Sequence, residues 1–310
     1  MAISKTEIVL LTRCQIPTEI DINFDDRGNP HTISTSKAVK YLGVMLDNKL
    51  SFMEHMRRSC AKAAKVTLSL TRLMANIGGP KSGKRRLLMS TVNSILLYGA
   101  EVWADVVQMQ KYCKMITTVQ RRGALRIASA YHTVSAVAIQ VVAGVIPIDL
   151  LAEERKKIYN RDRAVSREDA SAQERINTLE RWQRRWDAHS DERYTHRLIP
   201  NIQEWIGRAH GEMEFYLTQF LTGHGYFRDC LKKWNKVATP WCLHCGEETV
   251  DDVEHTFFGC AQYVEGRPPF QEWRPETVVQ EMLRSTENWY SVAEYIRTTL
   301  IRKREDGFLE

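Results

Sequence analysis

The pattern of apolar residues predicts a short β region followed by helices. Runs rich in β-branched and apolar residues at 7–11 and 39–47 are typical of strands. Between them, residues 25–30 (DDRGNP) have the composition of a turn. From 52 to 73, apolar residues recur at helical spacing, and this helix is expected to end at the Ile-Gly-Gly-Pro sequence of 77–80.

Further helices are predicted over most of the remaining chain. Four segments repeat apolar residues with a helical period: 84–97, 106–129, 134–143 and 276–304. In the charged stretch between the third and the fourth, Trp182, Trp186 and Trp205 stand in helical register and are expected in the core. Residues 163–180 hold few large apolar side chains and are either a solvated helix or a linker. The predicted fold is mainly α with a small N-terminal antiparallel β element (α+β).

Composition places the chain among globular proteins. Its 310 residues are 43% hydrophobic and 26% charged. No apolar run approaches the roughly 18 residues of a membrane span, so no membrane partner is expected. Seven cysteines, three of them close together after residue 240, fit one metal site better than a disulfide framework. An intracellular, reducing compartment is therefore expected.

The positive charge is concentrated in one segment. Residues 57–126 contain 14 basic and 2 acidic side chains, a balance of +12, whereas the whole chain carries +6. The rest of the chain therefore sums to −6. Such a concentration favours a polyanion such as nucleic acid, because a merely solvated helix face usually mixes both signs. The candidate phosphate-binding residues are Lys81, Lys84, Arg85, Arg86, Arg57, Arg58, Lys62, Lys65, Arg121, Arg122 and Arg126.

A cysteine–histidine cluster predicts a structural zinc site. Cys242, Cys245, His255 and Cys260 form a C-x2-C-x9-H-x4-C pattern, in which two thiolates come from one tight turn and the other two ligands from a second element. The histidine favours zinc over an iron–sulfur cluster, and four protein ligands leave no open position for catalysis. The alternative is three unrelated buried cysteines near a histidine, and His244 is a weaker candidate ligand.

The acidic composition of this knuckle leaves its role open. No Lys or Arg lies between its first and last cysteine, and the carboxylates there are Glu247, Glu248, Asp251, Asp252 and Glu254. Contact with nucleic acid would then come from flanking cations, which are Arg228, Lys232, Lys233, Lys236, Arg267 and Arg274. On the other interpretation the knuckle is a folding staple, since so short a stretch is stabilised by its metal.

Two motifs that suggest catalysis fail on their context. Residues 78–84 (GGPKSGK) match the start of a phosphate-binding loop, but Arg85 stands where a Ser or Thr must reach magnesium, and a helix precedes the motif. These residues are interpreted as a hinge between helices whose cations face phosphates. Asp25 and Asp26 resemble paired metal-binding aspartates, but the turn composition after them favours an ordinary turn. No catalytic residue is predicted.

Several sequence strings resemble, in order, the reverse transcriptases of non-LTR (LINE-type) retrotransposons. They are 5–13 (KTEIVLLTR), 40–47 (KYLGVMLD), 94–103 (SILLYGAEVW), 122–126 (RGALR), 130–135 (AYHTVS), 143–147 (AGVIP) and 221–227 (LTGHGYF). With the knuckle, they cover the chain to about residue 265 and are most like arthropod-type elements. The resemblance implies a carboxy-terminal part of such a polymerase.

The resemblance also implies a division of the chain and roles for some residues. Its segments would be the last palm strands (1–53), a basic helical thumb (54–148), a helical connector (149–237), the CCHC zinc knuckle (238–265) and a C-terminal helix (266–310). Tyr41, Leu42 and Gly43 would belong to the primer grip. The family's catalytic aspartates, its fingers and its endonuclease are expected upstream of Lys5, so Mg²⁺ would be needed only by the full-length polymerase.

The function expected from the resemblance is to hold nucleic acid without catalysing polymerisation alone. Such a segment would grip the RNA template and the RNA–DNA hybrid during target-primed reverse transcription, next to upstream polymerase and endonuclease domains, and the family implies a nuclear location. The alternative is a domesticated, zinc-stapled helical module that binds another protein through its tryptophans. An active enzyme would require metal-dependent nucleotide incorporation that depends on Asp25 and Asp26.

Overall fold

The computed structural model describes residues 6–12, 14, 19–26, 29–190 and 193–307. Its strands are β1 (Asp21–Asp26), β2 (Asn29–Ser34), β3 (Ala38–Tyr41), β4 (Val44–Asp47), β5 (Trp241–Cys242) and β6 (Gly246–Val250). Its first helices are α1 (Met53–Thr71), α2 (Ser82–Leu96), α3 (Ala100–Trp103), α4 (Gln110–Ile127), α5 (Ala136–Ala143) and α6 (Ile148–Tyr159). The remaining helices are α7 (Arg167–Ala188), α8 (Arg193–Leu198), α9 (Ile202–Gly207), α10 (Phe215–Thr222), α11 (Arg228–Lys233), α12 (Pro275–Arg284) and α13 (Thr286–Asp306). The predicted mainly helical fold with small antiparallel β pairs is confirmed.

The strands form three separate two-stranded antiparallel pairs, β1–β2, β3–β4 and β5–β6. The turn predicted at 25–30 is the tip of the first pair, where Asp26 faces Asn29, and residues 27 and 28 lie outside the described part. A strand at 7–11 was wrong for the described residues. Ile8 and Thr12 make isolated backbone hydrogen bonds to Ser36 and Asn48 instead of a ladder.

The single strand predicted at 39–47 was also wrong, because the segment folds back on itself. Leu42 and Gly43 have φ angles of +45° and +87° and form the two-residue turn between β3 and β4. Positive φ at both central positions matches the twist of a tight hairpin. The apolar run concealed this turn, since Leu-Gly lacks the usual Asn or Asp signal.

The long helices fall close to the predicted segments, with two breaks. The segment 106–129 contains the end of a 3₁₀ helix (Ala104–Gln108) and then α4. The C-terminal segment divides at Ser285, whose backbone is extended and whose hydroxyl accepts a hydrogen bond from the Asn288 N–H at the start of α13. Residues 163–180 contribute to α7, which buries only four residues, Ala170, Thr178, Trp182 and Trp186. The solvated-helix interpretation of this segment is therefore confirmed.

One continuous apolar core joins the helices from α1 to α13. Trp182, Trp186 and Trp205 are fully buried in it, as predicted. Full burial of an apolar side chain of this size contributes roughly 2–3 kcal/mol. No single helix in the described residues is both long and apolar enough to cross a membrane. Two pairs of consecutive helices reach that length and composition only when each pair is taken together, and each pair is bent at its break: Ser82–Leu96 with Ala100–Gln108, and Ala136–Ala143 with Ile148–Tyr159.

Charged α7 docks on α6 through a ladder of ion pairs. Three arginines of α7 meet three carboxylates of α6: Arg185–Asp149 (2.6 Å), Arg181–Glu153 (2.5 Å) and Arg175–Glu154 (2.7 Å). Because the Asp149 and Glu154 side chains are buried, each carboxylate needs its arginine partner. This ladder explains how a helix with so few large apolar residues packs on the core.

Candidate metal centre and basic surface

The first two ligands of the predicted metal site lie on the β5–β6 hairpin. Cys242 ends β5, and Cys245 lies in the turn directly before Gly246, which starts β6 with a φ of +90°. Glycine adopts this left-handed conformation without a steric penalty, as predicted for a tight turn at this position. The turn brings both thiols to the same side of the hairpin.

His255 and Cys260 supply the other two ligands from a short π-helical turn at His255–Gly259. The Asp252 carboxylate accepts the His255 backbone N–H at 2.7 Å, and the Cys260 N–H donates to the His255 carbonyl at 2.6 Å. A Cβ at Gly259 would lie 3.4 Å from His255 Nδ1, so Gly259 packs directly beside the imidazole. The ligand atoms of all four predicted residues lie within 4.8 Å of one another.

The geometry of the cluster fits a tetrahedral zinc ion. The Cys260 sulfur lies 4.0 Å from that of Cys242 and 3.8 Å from that of Cys245. Zinc–sulfur bonds of about 2.3 Å at tetrahedral angles place two sulfurs about 3.8 Å apart. His255 Nε2 is buried and has no hydrogen-bond partner among the described residues, and a bound cation would satisfy it. The four residues can therefore hold zinc as a closed structural site.

Burial shifts the pKa values of the histidine and cysteine ligands in opposite directions. It lowers the pKa of His255, which favours the neutral imidazole that binds metal. It raises the pKa of the Cys260 thiol to about 12, with further contributions from the neighbouring Cys242 and Cys245 sulfurs. A divalent cation reverses the effect on the thiols, because it stabilises each thiolate that it binds.

The other residues weighed as ligands have different roles. His244 Nε2 lies 3.4 Å from an Asp306 carboxylate oxygen on α13 and 3.4 Å from the Tyr263 hydroxyl, outside the cluster. Cys230 is a buried thiol that contacts the Gly223 carbonyl at 3.3 Å. Neither belongs to the metal centre.

The knuckle is anchored to the last helix through Asp251. Its carboxylate, which is 1% exposed, forms an ion pair of 2.5 Å with Lys303 of α13, which is 7% exposed. It also accepts the Arg228 backbone N–H and the Thr256 hydroxyl, each at 3.0 Å. Asp251 thus joins α11, the knuckle and α13.

The contacts of the knuckle's acidic residues favour the folding staple over direct contact with nucleic acid. In addition to Asp251, Asp252 caps the His255 N–H, and Glu254 pairs with Arg197 of α8. These carboxylates are directed to partners within the chain. Lys303 was missed from the sequence because a lysine in an amphipathic helix is usually solvated.

Most of the predicted phosphate-binding side chains are exposed, but Arg85 is not. Arg85 is 3% exposed, and its guanidinium donates to the carbonyls of Pro80 (2.5 Å), Ala75 (2.6 Å) and Arg126 (3.0 Å). Burial lowers the pKa of Arg85, with a smaller effect of the Arg126 charge. It therefore holds the 72–81 connection in place, and its prediction as a phosphate contact was wrong.

Arg121 is likewise committed to the fold. Its guanidinium donates to the carbonyls of His132 and Val134, both at 2.5 Å. Arg126 is half-buried and contacts Asn76 at 3.3 Å. The exposed members of the predicted set are Arg57, Arg58, Lys62, Lys65, Lys81, Lys84, Arg86 and Arg122.

Part of this exposed set follows one face of α1. Arg58, Lys62 and Lys65 recur at helical spacing, so they lie on one side of the helix. Arg57 and Arg58 share the Glu54 carboxylate at 3.4 and 2.6 Å. This face borders a groove of about 390 Å³ between α1, α2 and the β3–β4 hairpin, whose lining includes Lys40, Gly43, Arg58, Lys62 and Tyr98. We call it the hairpin groove.

The β3–β4 turn lies at the edge of the hairpin groove and is held in place by Tyr98. Tyr41 and Leu42 are 62% and 77% exposed. The Tyr98 hydroxyl donates to the Leu42 carbonyl at 2.9 Å, and a Cβ at Gly43 would lie 2.6 Å from the Tyr98 ring. Only glycine fits this position, since its φ is also +87°.

His55 of α1 holds the same hairpin from within. Its Nδ1 accepts the Met45 N–H at 3.4 Å, so its Nε2 carries the proton and donates to the Tyr98 carbonyl at 3.3 Å. Burial lowers the pKa of His55, partly opposed by the hydrogen bond to Tyr98. The neutral imidazole thus connects the helix, the hairpin and Tyr98.

Lys81 and Arg86 face a second groove, at the start of α2. Arg86 and Lys84 are two residues apart and therefore lie on different faces of that helix. The predicted cations do not form a single surface, and those of α1 border the hairpin groove.

Comparison with known proteins finds relatives among retrotransposon proteins of insects. The chain is 28% identical over 291 residues to a putative 115 kDa protein in the type-1 retrotransposable element R1DM of Drosophila melanogaster, covering 86% of this chain and 27% of that protein. It is 27% identical to a retrovirus-related Pol polyprotein from element R1 2 of Nasonia vitripennis (75% of this chain, 62% of that protein). It is 28% identical to the Pol polyprotein of element R1 of Bradysia coprophila (76% and 25%). No protein-family model and no solved structure matches the chain.

Proposed function

The chain matches a carboxy-terminal part of R1-type non-LTR retrotransposon proteins, and from this premise we propose that it is a nucleic-acid-binding segment of a retrotransposon RNA-directed DNA polymerase. It holds the RNA template and the RNA–DNA hybrid and does not catalyse polymerisation by itself. Because the chain spans only 27%, 62% and 25% of these three relatives, polymerisation belongs to the proposal for the whole protein.

The hairpin groove is the observation that carries this proposal. Lys40, Arg58 and Lys62 border a concave surface on which a hairpin tip exposes Tyr41 and Leu42. Lysine and arginine along a groove contact phosphates without reading bases, and an exposed aromatic ring can stack on a terminal base. The hairpin is fixed by Tyr98 and His55, so its tip is positioned before nucleic acid arrives. This arrangement supports the primer-grip role that the family resemblance implies for Tyr41, Leu42 and Gly43.

The zinc centre has a supporting role in this proposal. A bound Zn²⁺ stabilises the knuckle through its ligands Cys242, Cys245, His255 and Cys260. The Asp251–Lys303 ion pair connects the knuckle to α13. The bound ion supplies folding energy and no chemistry. A nuclear location of the full-length protein is part of the same proposal.

Salt-dependent binding of an RNA–DNA hybrid tests the proposal. The zinc-loaded chain is titrated into a fluorescein-labelled hybrid at several salt concentrations, and anisotropy gives the association constant. We expect the logarithm of this constant to fall linearly with the logarithm of salt concentration, with a slope of about −0.9 for each phosphate contacted. The double variant Lys40→Gln/Lys62→Gln, which removes two cations that line the groove, should reduce the magnitude of the slope by about 1–2.

A lysine elsewhere on the surface provides the matched control. Lys157 of α6 is exposed and does not line the hairpin groove, so Lys157→Gln should leave the slope unchanged. A slope that is the same for the wild type, the double variant and the control would contradict the proposal, and so would an affinity that does not depend on salt.

The alternative function, protein binding through tryptophans, gains no support from the fold. Trp182, Trp186 and Trp205 are at most 2% exposed and pack in the common core. They are therefore not available as an interface.

A further inference from the structure

A second groove lies on the other side of α2 from Lys84. It has a volume of about 620 Å³ and is lined by the start of α2, by the 206–212 connection and by the start of α13. Sites for small ligands typically measure about 300–1,000 Å³, so this space is sufficient for a nucleotide. We call it the α2–α13 groove.

Four cations line it, Lys81, Arg86, Arg175 and Arg208, and Arg175 is paired with Glu154. Arg86 and Arg208 are neighbours. Arg86 donates to the Ala143 carbonyl at 2.9 Å, and Arg208 donates to the Trp205 carbonyl. Within the described residues, neither guanidinium forms an ion pair with a carboxylate. Burial lowers the pKa of Arg208 to about 10, and the nearby Arg86 charge contributes to this shift. An anion between the two arginines would relieve their repulsion.

Arg208 is held rigidly in this position. Its guanidinium lies over the ring of Trp205 at 4.0 Å and over that of Trp289 at 5.1 Å. In the part of the chain that the structure describes, its buried Nε has no hydrogen-bond partner. A guanidinium fixed by aromatic rings loses little further freedom when it binds an anion, which favours the binding.

The helix termini add to the positive potential. Ser82 of α2 and Thr286 of α13 both line the groove, so the positive ends of two helix dipoles lie beside it. Glu212 is the groove's carboxylate, and it accepts the Ser82 hydroxyl at 2.5 Å and the Gly83 N–H at 3.4 Å. It is therefore hydrogen-bonded to the start of α2, and within the described residues it forms no ion pair with either arginine, although its charge partly offsets that of Arg208.

An aromatic side chain completes the groove. Tyr290 of α13 lines it and is 57% exposed. Exposed aromatic rings next to a cationic groove are the usual means of binding single-stranded nucleic acid, because an unpaired base stacks on the ring while its phosphate meets the cations. A duplex offers phosphates but keeps its internal bases paired, so only its ends are available to such a ring.

From this combination we infer that the α2–α13 groove binds a single-stranded segment of nucleic acid, with a phosphate between Arg86 and Arg208 and a base on Tyr290. The inference rests on the proposed function and adds a second site, separate from the hairpin groove, for an unpaired strand. Backbone phosphates and unpaired bases are common to RNA and DNA, and both kinds of strand are therefore probes in the test.

The experiment compares single strands with a hybrid on the zinc-loaded chain. Fluorescein-labelled oligo(rU) and oligo(dT) of about 12 nucleotides and an RNA–DNA hybrid are titrated with wild type, Arg86→Gln and Tyr290→Ala. Tyr290 is exposed, so Tyr290→Ala should keep the wild-type melting temperature. Arg86→Gln loses the hydrogen bond to the Ala143 carbonyl, so its melting temperature is measured in parallel and binding is compared well below it. Arg208 is left unchanged because it packs on two tryptophans.

We expect Tyr290→Ala to weaken binding of both single strands by about fivefold or more, as for loss of one stacked base. Arg86→Gln should reduce the salt slope for single strands by about 0.7, which is one phosphate contact. Neither change should alter hybrid affinity by more than about twofold. The matched controls Tyr159→Ala and Arg184→Gln remove exposed side chains of the same types outside the groove and should have no effect on any probe.

Two results would overturn the inference in distinguishable ways. If wild type binds the hybrid but both groove variants bind single strands as wild type does, the α2–α13 groove is not the site and the proposed function stands. If wild type binds neither hybrid nor single strands, both the inference and the proposed function are wrong. A preference for RNA over DNA with the same variant effects supports the site and identifies the 2′-hydroxyl as a further contact.

Discussion

The buried ion pair between Lys303 and Asp251 leads to the most quantitative prediction. In Lys303→Met, the Asp251 carboxylate keeps the Arg228 N–H and the Thr256 hydroxyl but loses its compensating charge. Removing one partner of a buried pair costs about 3–5 kcal/mol, and the two remaining hydrogen bonds place this case at about 3 kcal/mol. At about 2 °C per kcal/mol for a chain of this size, the melting temperature should fall by roughly 6 °C.

Thermal unfolding followed by circular dichroism, with excess zinc present, measures this shift. Arg302→Met is the matched control, because Arg302 is the neighbouring residue on α13 and pairs with Glu265 at the surface at 3.3 Å. An exposed pair contributes about 0–1 kcal/mol, so the control should change the melting temperature by about 2 °C at most.

The double variant Asp251→Asn/Lys303→Met isolates the uncompensated charge. With both charges removed, its melting temperature should be higher than that of Lys303→Met alone. Equal shifts for Lys303→Met and Arg302→Met, or a double variant less stable than Lys303→Met, would refute the reasoning that this pair fastens the knuckle to α13.

Three further predictions concern the zinc centre and the hairpin. Wild type should bind one zinc per chain by atomic emission, and Cys260→Ser should lose most of it; a chelator that leaves the wild-type melting temperature unchanged would contradict a structural role. The pKa of His55 is lower in the folded chain than in the unfolded chain. As the pH falls below about 6.5, His55 is therefore protonated in the unfolded chain before it is protonated in the folded chain. The stability that this group contributes is present above that pH and is lost as the pH falls. The difference in melting temperature between wild type and His55→Gln should therefore shrink from about pH 7.5 to about pH 5.5, and a constant difference would argue against the neutral buried imidazole. At Gly43, φ is +87° and an added Cβ would lie 2.6 Å from the Tyr98 ring, whereas at Gly78 φ is +71° and no atom would lie within 4 Å of it. Gly43→Ala should therefore lower the free energy of unfolding by about 1–3 kcal/mol more than Gly78→Ala does. Equal urea midpoints for the two variants would contradict the close packing at Gly43.

The helices and the metal ligands could be predicted from the sequence because their signals are local. Apolar spacing located α1, α2 and α5, and cysteine and histidine spacing identified the four residues that the fold brings together. Each of these patterns reports contacts within a few residues, or a ligand geometry that the spacing itself requires.

The errors came from positions where a distant contact decides the outcome. Arg85 carries the same charge as its neighbours, but it is buried because it donates to two carbonyls of the preceding connection and to the carbonyl of Arg126, 41 residues away. The Leu42–Gly43 turn is fixed by Tyr98, more than fifty residues later. Lys303 is buried because Asp251 lies opposite it. Neither the apolar periodicity nor the composition of a segment indicates which distant residue it will contact.

The hairpin groove was found only when the elements were assembled. Lys40, Arg58 and Tyr98 come from a strand, a helix and a connection, and none of them is unusual in its own segment. The concentration of cations in 57–126 did not show that Arg86 and Lys84 lie on different faces of α2.

Photo-crosslinking tests the central claim, that nucleic acid lies in the hairpin groove, most directly. An RNA–DNA hybrid with a photoreactive thymidine analogue at the primer end is irradiated with the zinc-loaded chain, and mass spectrometry identifies the modified peptides. The account predicts adducts on Tyr41 and on the α1 peptide that carries Arg58 and Lys62. Adducts confined to the 241–260 knuckle or to α7, with none on the hairpin or α1, would contradict it.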